Sequence, residues 1–173
     1  MTGLLAEPAG WVRVLTVDAP PLDLGEELRQ TRGVTGELRL TRTNRGLLVV
    51  GCLFTAIAQV CSRCLKDLDW PVVLDLEEEA LPSLDLVTGK PLDLGAEPDE
   101  LRLNDHHELE LEGEIADLIR VAEPIAPLCR EDCPGLCTTC GADLSAGSHF
   151  HPDEEIDPRL EALRRFKGGE QPE

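Results

Sequence analysis

Residues Gly36 to Val60 read GELRLTRTNRGLLVVGCLFTAIAQV, and this stretch decides the fold. Two strand-like runs flank Asn44-Arg45-Gly46. A glycine at the tip of a tight hairpin supplies positive φ, which predicts that conformation for Gly46. The second run, Leu47 to Val60, is almost wholly apolar, as expected of a central strand covered on both faces. It leads straight into Cys61-Ser62-Arg63-Cys64-Leu65.

Toward the N-terminus, Trp11 to Val17 is rich in β-formers and stops at Asp18-Ala19-Pro20-Pro21. A short amphipathic turn is expected over Leu22 to Leu28. Beyond the hairpin, Pro71 to Glu77 alternates and predicts the neighbouring strand. Residues 82–105, rich in Pro, Gly and Asp, read as a long loop, with His106 and His107 as solvent-facing neighbours at its far edge. From Glu112 to Ala122, Ile115, Leu118, Ile119 and Ala122 recur at helical spacing, with acids early, where the helix dipole favours them. Pro124 and Pro127 end that helix. Asp157-Pro158 predicts an N-cap and first-turn proline for a short terminal helix carrying Leu160, Leu163 and Phe166.

The clearest chemistry lies in Leu128 to Leu144, LCREDCPGLCTTCGADL. Cys129, Cys133, Cys137 and Cys140 fall within twelve residues, and four thiolates satisfy tetrahedral zinc. Cys137-Thr138-Thr139-Cys140-Gly141 has the form of a zinc knuckle, in which a positive φ at Gly141 lets backbone amides face sulfur. Three ligand sets are open. The local quartet closes a site by itself and is favoured for that reason. Cys61 with Cys64 could instead join Cys137 with Cys140, as paired knuckles do in zinc ribbons; His149 and His151 could replace two thiolates. Thiols packed at a strand end are an equally good reading of Cys61 and Cys64, whereas thioredoxin-type redox work needs a helix that Asp67 to Pro71 leaves little room for. Every set fills zinc with protein ligands, the mark of a structural ion rather than a catalytic one.

Taken together, the chain reads as α+β. An antiparallel β-rich domain over 1–125, a small sheet or partly open barrel, carries one packed helix near 112–122. A cysteine-rich zinc element with a short terminal helix occupies 126–173. No nucleophile–base pair or glycine-rich phosphate loop stands out, so the chain does not read as an enzyme. No apolar run is long enough to span a bilayer, and the first residues lack the pattern of a signal peptide. Seven cysteines, an odd number, argue for a reducing cytoplasm over a disulfide framework.

The net charge of −18 is unevenly spread: residues 1–60 carry six basic and six acidic side chains, and residues 61–173 carry ten and twenty-eight. Such a surface repels phosphate and suits a basic partner.

The motifs resemble one family, the YceD-like proteins, also called large ribosomal RNA subunit accumulation proteins of bacteria. Its CxRCL element after an apolar strand is matched by Val60 to Leu65, and its helix and proline segment by Ile115 to Pro127. A CxxxCxGLCxxCGxxL element found in many members is matched by Cys129 to Leu144, and the DPR closing helix by Asp157 to Leu163. Where relatives often carry C-x-C, this chain has His149-Phe150-His151. The resemblance implies a role in the accumulation or processing of large-subunit (23S) ribosomal RNA. Two modes of action are compatible with it. Direct RNA contact would use Arg29, Arg32, Arg39, Arg42 and Arg45, which face a single acid, Glu37. An acidic adaptor or holdase would instead receive a basic ribosomal protein. A weaker third reading is a thiol sensor that loses zinc on oxidation.

Overall fold

The computed structural model describes residues 2–26, 28–85, 88–92, 101–147, 150–151 and 159. Its frame is a five-stranded sheet in the order β1 (Val12–Ala19), β2 (Val34–Arg42), β3 (Leu47–Val60), β4 (Asp67–Pro82) and β5 (Arg102–Leu103). Successive strands are antiparallel except β5, which runs parallel to the end of β4. The sheet is open. The expected hairpin is β2–β3, with Arg42 opposite Leu47, and the alternating Pro71 to Glu77 segment lies inside β4.

Alternation along each strand separates two faces. The inner face presents Leu38, Leu40, Leu47, Val49, Leu53, Ile57, Val72, Leu74 and Leu76, all buried. Over it pack Leu4 and Leu5 of a four-residue helix α1 (Thr2–Leu5), Leu24 and Leu28, Leu101 and Leu103, and Ile115 and Ile119 of α2 (Glu112–Val121). The predicted stripe on α2 therefore faces the core as expected. Among the described residues no helix is long and apolar enough to cross a membrane.

Four expectations need correction. First, β3 is central by pairing, but from Leu48 to Phe54 its second face is largely open, with Val50 36% exposed and Phe54 50% exposed, whereas Ala56 further along is buried. The hydrophobicity of the run overstates its cover because apolar side chains also line an exposed face. Second, Gly46 does not have positive φ. The Thr43 hydroxyl accepts from the amides of Arg45 (3.2 Å) and Gly46 (2.9 Å), which turns the chain without it. Glycine is required there for proximity, since a Cβ would sit 2.1 Å from the Ala80 carbonyl oxygen. Third, residues 82–105 are not all loop. Leu101 to Leu103 return to the sheet, where the Leu81 amide donates to the Leu101 carbonyl at 2.9 Å; a two-residue strand has no period to read. Fourth, the described part of Leu22 to Leu28 forms no helical turn, and its leucines enter the core from irregular chain. His106 is exposed as expected, whereas His107 is half-buried with φ 56. The predicted terminal helix after Asp157 lies outside the described residues.

The irregular segment is pinned by a small polar network. Gln30 is buried; its Nε2 donates to Thr55 Oγ1 (2.6 Å) and its Oε1 accepts from the Leu22 amide (2.9 Å). Thr55 Oγ1 donates in turn to the Arg32 carbonyl at 2.9 Å. Gln30→Ala leaves the Leu22 amide without this acceptor, at a cost of about 1–3 kcal/mol in urea unfolding. A loss under ~0.5 kcal/mol would show that the network contributes nothing beyond what water replaces.

Candidate metal centre

The β3–β4 connection is six residues, Cys61 to Lys66, and its hydrogen bonds define a knuckle. The Leu65 amide donates to the Cys61 carbonyl (2.9 Å), and the Cys61 amide donates to the Lys66 carbonyl (2.9 Å). Leu65 takes φ 58, the left-handed region. The same pattern recurs around Cys137. There the Gly141 amide donates to the Cys137 carbonyl and the Cys137 amide to the Ala142 carbonyl, both at 2.8 Å, with Gly141 at φ 72 as expected. The chain thus holds two knuckles of one design. In the first, an exposed leucine stands where glycine would be free of strain.

The chain leaving α2 returns over the end of this hairpin. The Ser62 amide donates to the Pro127 carbonyl at 2.8 Å, and Arg63 Nη1 donates to the Cys133 carbonyl at 3.0 Å. Gly135, at φ 80, comes so near that a Cβ would meet the Arg63 carbonyl oxygen at 3.1 Å. These contacts deliver Cys129 and Cys133 onto Cys61 and Cys64. All four Sγ atoms lie within 4.8 Å of one another. Cys61 and Cys133 sulfurs are 3.9 Å apart, and Cys64 and Cys129 sulfurs 3.6 Å apart. A tetrahedron with metal–sulfur bonds of ~2.3 Å has edges of about 3.8 Å, so the donor set fits a metal ion; a disulfide needs about 2.05 Å. Cys61, Cys64 and Cys133 are buried among Leu68, Leu128 and Leu136, while Cys129 is exposed.

The acid–base chemistry follows from crowding. Amide donation from Cys64 and Cys129 pulls the Cys61 thiol down to about 6. Cys129 is pushed up to about 12, chiefly by its hydrogen bond with Cys133 and then by desolvation of its sulfur, which faces the cluster although the residue is exposed. The Lys66 amide draws Cys64 down, but burial and the Cys61 thiol outweigh it and leave Cys64 raised. One thiolate in the cluster suppresses ionisation of its neighbours. A dication removes that conflict, because each added thiolate then gains an attraction larger than the mutual repulsion.

The second knuckle gathers Cys137, Cys140 and His151, whose ligand atoms also lie within 4.8 Å of one another. Cys137 Sγ is 3.3 Å from His151 Nε2. Between the two clusters, Lys66 Nζ pairs with Asp143 Oδ2 at 2.6 Å, and Asp143 also accepts from the Ser145 amide at 2.8 Å. The Lys66 ammonium holds the Asp143 carboxyl well below the usual range.

The local quartet is thus divided. Cys129 and Cys133 join Cys61 and Cys64, whereas Cys137 and Cys140 join His151. The zinc-ribbon pairing of the two knuckles does not form either. The reason is geometric: Pro134-Gly135 carries the chain across Arg63, leaving the two cysteine pairs of the tail on opposite sides of that crossing. Spacing within the tail could not reveal this, because the partner loop is more than sixty residues upstream. The one available signal was the repeated Cys-x-x-Cys at 61–64 and 137–140. His149 lies outside the described residues.

The arginines do not gather. Arg42 turns inward, with Nε donating to the Leu5 carbonyl (3.1 Å) and Nη1 to the Gly46 (2.9 Å) and Thr43 carbonyls. Arg32 pairs with Asp69 and Arg45 with Glu79 (3.6 Å). Those acids are ten residues apart on β4, on the order of 30 Å. Arg39 lies on the outer sheet face opposite Val14 and Val50, and Arg29 is exposed near Asp67 and Asp69.

The model of the family described as large ribosomal RNA subunit accumulation protein YceD matches residues 50–167. The chain belongs to the YceD family. The matched region takes in β3 from Val50 onward, both knuckles and α2. An uncharacterized protein of Mycobacterium tuberculosis is 34% identical over 134 residues, 78% of this chain and 62% of its own length. An uncharacterized protein of Mycobacterium leprae is 33% identical over 124 residues, 70% of this chain and 54% of its own. The chain therefore spans little more than half to three-fifths of the length of the curated relatives it matches. No solved structure matches it.

Leu65→Gly relieves the left-handed strain of the first knuckle at a site 64% exposed, so little packing is lost. Stability should rise by up to about 1 kcal/mol, read as a higher denaturant midpoint. A lowered midpoint would show that the leucine side chain itself holds the loop.

Proposed function

We propose that this YceD-family chain is a non-enzymatic factor supporting the accumulation or processing of large-subunit ribosomal RNA, held in shape by a structural zinc ion. The observation that carries the reading is the family match, which spans the first knuckle, the helix and the cysteine tail. Four cysteine sulfurs at tetrahedral separations favour zinc, and saturation by protein ligands leaves it no position for a reacting water. Zinc bound this way supplies folding free energy, on the order of 10 kcal/mol, to a tail with few core side chains. Arg63 and Lys66 stand beside the centre and offset the −2 charge that four thiolates leave on a dication.

Cells lacking the gene should show depleted large-subunit RNA against unchanged small-subunit RNA. Complementation should fail with Cys61→Ser/Cys133→Ser and succeed with the unaltered chain. Normal large-subunit RNA in the deletion strain would remove the assignment; cleavage of that RNA by the purified protein would remove its non-enzymatic part.

The outer sheet face favours action through a basic ribosomal protein over direct RNA contact. On β4 the outward positions include Asp67, Asp69, Asp75, Glu77 and Glu79. Beside them, β3 turns out Leu48, Val50, Cys52 and Phe54. Carboxylates next to an apolar row repel phosphate and suit a cationic segment bearing apolar side chains. Asp75→Lys/Glu77→Lys should abolish low-salt co-purification of basic ribosomal proteins, an association that nuclease leaves intact. Association that survives the charge reversal, or disappears with nuclease, would favour RNA contact instead.

A further inference from the structure

The two knuckles share one hydrogen-bonded turn, yet each points its sulfurs at a different set of partners. Cys61 and Cys64 meet Cys129 and Cys133; Cys137 and Cys140 meet His151. If only one ion were bound, the second turn would have no reason to bring an imidazole back eleven residues past Cys140, to 3.3 Å from a thiol. A metal with bonds of ~2.3 Å to sulfur and ~2.05 Å to nitrogen sets that S···N edge at about 3.6 Å, and the observed value is close to it.

We propose that the chain binds two thiophilic dications at separate centres, the second held by Cys137, Cys140 and His151. The two centres differ in charge and in access. Four thiolates leave the first at −2, and the cations beside it are Arg63 and Lys66. Two thiolates and a neutral imidazole balance a dication by themselves, so the second needs no such compensation. Lys66 lies near Cys64 and Cys129 of the first centre and pairs its ammonium with Asp143. Three of the four cysteines of the first centre are buried. In the second, Cys140 is exposed and Cys137 and His151 are half-buried, so it exchanges its ion with solution and gives it up first.

The second centre does not depend on which partner the protein serves, and it shares only the choice of zinc with the function proposed above. The described residues supply three of the four positions that tetrahedral zinc takes; the ligand count therefore belongs to the test.

Native mass spectrometry of the zinc-loaded chain should give two ions, and Cys137→Ser/Cys140→Ser should give one. Because the second centre is exposed, that variant should keep the circular dichroism of the sheet. Competition of the unaltered chain with a chromogenic zinc chelator should release zinc in two phases of equal size, the fast phase missing from Cys137→Ser/Cys140→Ser. Reconstitution with cobalt(II) should give weaker thiolate charge transfer at the second centre than at the first, two sulfurs against four. A single ion retained by Cys137→Ser/Cys140→Ser would overturn the second centre and leave the first. A single ion lost in that variant would overturn the two-centre arrangement and the assignment of zinc to Cys61, Cys64, Cys129 and Cys133. No bound ion at all would overturn both.

Discussion

Four thiols within 4.8 Å of one another cannot all ionise unless positive charge sits among them, and this constraint organises the end of the molecule. Crowding makes these thiols harder to ionise: Cys129 is raised chiefly by its hydrogen bond with Cys133 and then by desolvation, and Cys64 is raised by burial and the Cys61 thiol against the pull of the Lys66 amide. A dication turns that mutual penalty into mutual support. Two of the sulfurs belong to the turn between the two longest strands; the other two belong to chain that has just left the only long helix among the described residues. A metal held by these four sulfurs would join the sheet to the segment beyond α2, at a place where apolar cover is thin: Leu68, Leu128 and Leu136 are the partly buried neighbours of the cluster.

The rest of the architecture prepares that junction. The long β3–β4 ladder, from Leu47 opposite Ala80 to Val60 opposite Asp67, carries the first knuckle to one end of the sheet. Helix α2 packs Ile115 and Ile119 into the core, which fixes where the proline segment emerges. Hydrogen bonds from Ser62 and Arg63 to the returning chain then set its path, and Gly135 permits the closest crossing. The acidic excess of the second half is spatially sorted as well. On β4 every acid except Glu78 occupies an outward position, beside an apolar row that the core does not use. Burial and charge thus give the sheet one face packed into the core and another that stays exposed and acidic along β4.

Local periodicity carried most of the fold. The β2–β3 hairpin, the strand that returns through Pro71 to Glu77, and helix α2 all arise from patterns local in the chain. What was not legible depends on distance in the chain. Hydrophobicity alone could not say that Phe54 faces out, because the layer that covers the other face comes from residues far away in the chain, in α1, α2 and the irregular segments. The role of Gly46 comes from a strand-mate, Ala80, rather than from its own turn. In the site, the residue types and both knuckles were readable, and so was the positive φ at Gly141. The grouping of ligands was not, since it rests on how the chain crosses Arg63. The arginines illustrate the same limit: clustered in sequence, they are separated by strand geometry and by the carboxylates they meet.

The central claim is that an ion held by Cys61, Cys64, Cys129 and Cys133 clamps the chain after α2 to the β3–β4 turn. Hydrogen exchange, measured residue by residue with and without a strong chelator, tests it most directly. Removal of the ion should expose the amides of Ser62, Cys129 and Cys133 while the β2–β3 ladder keeps its protection. Protection unchanged at those three amides in metal-free protein would contradict the claim.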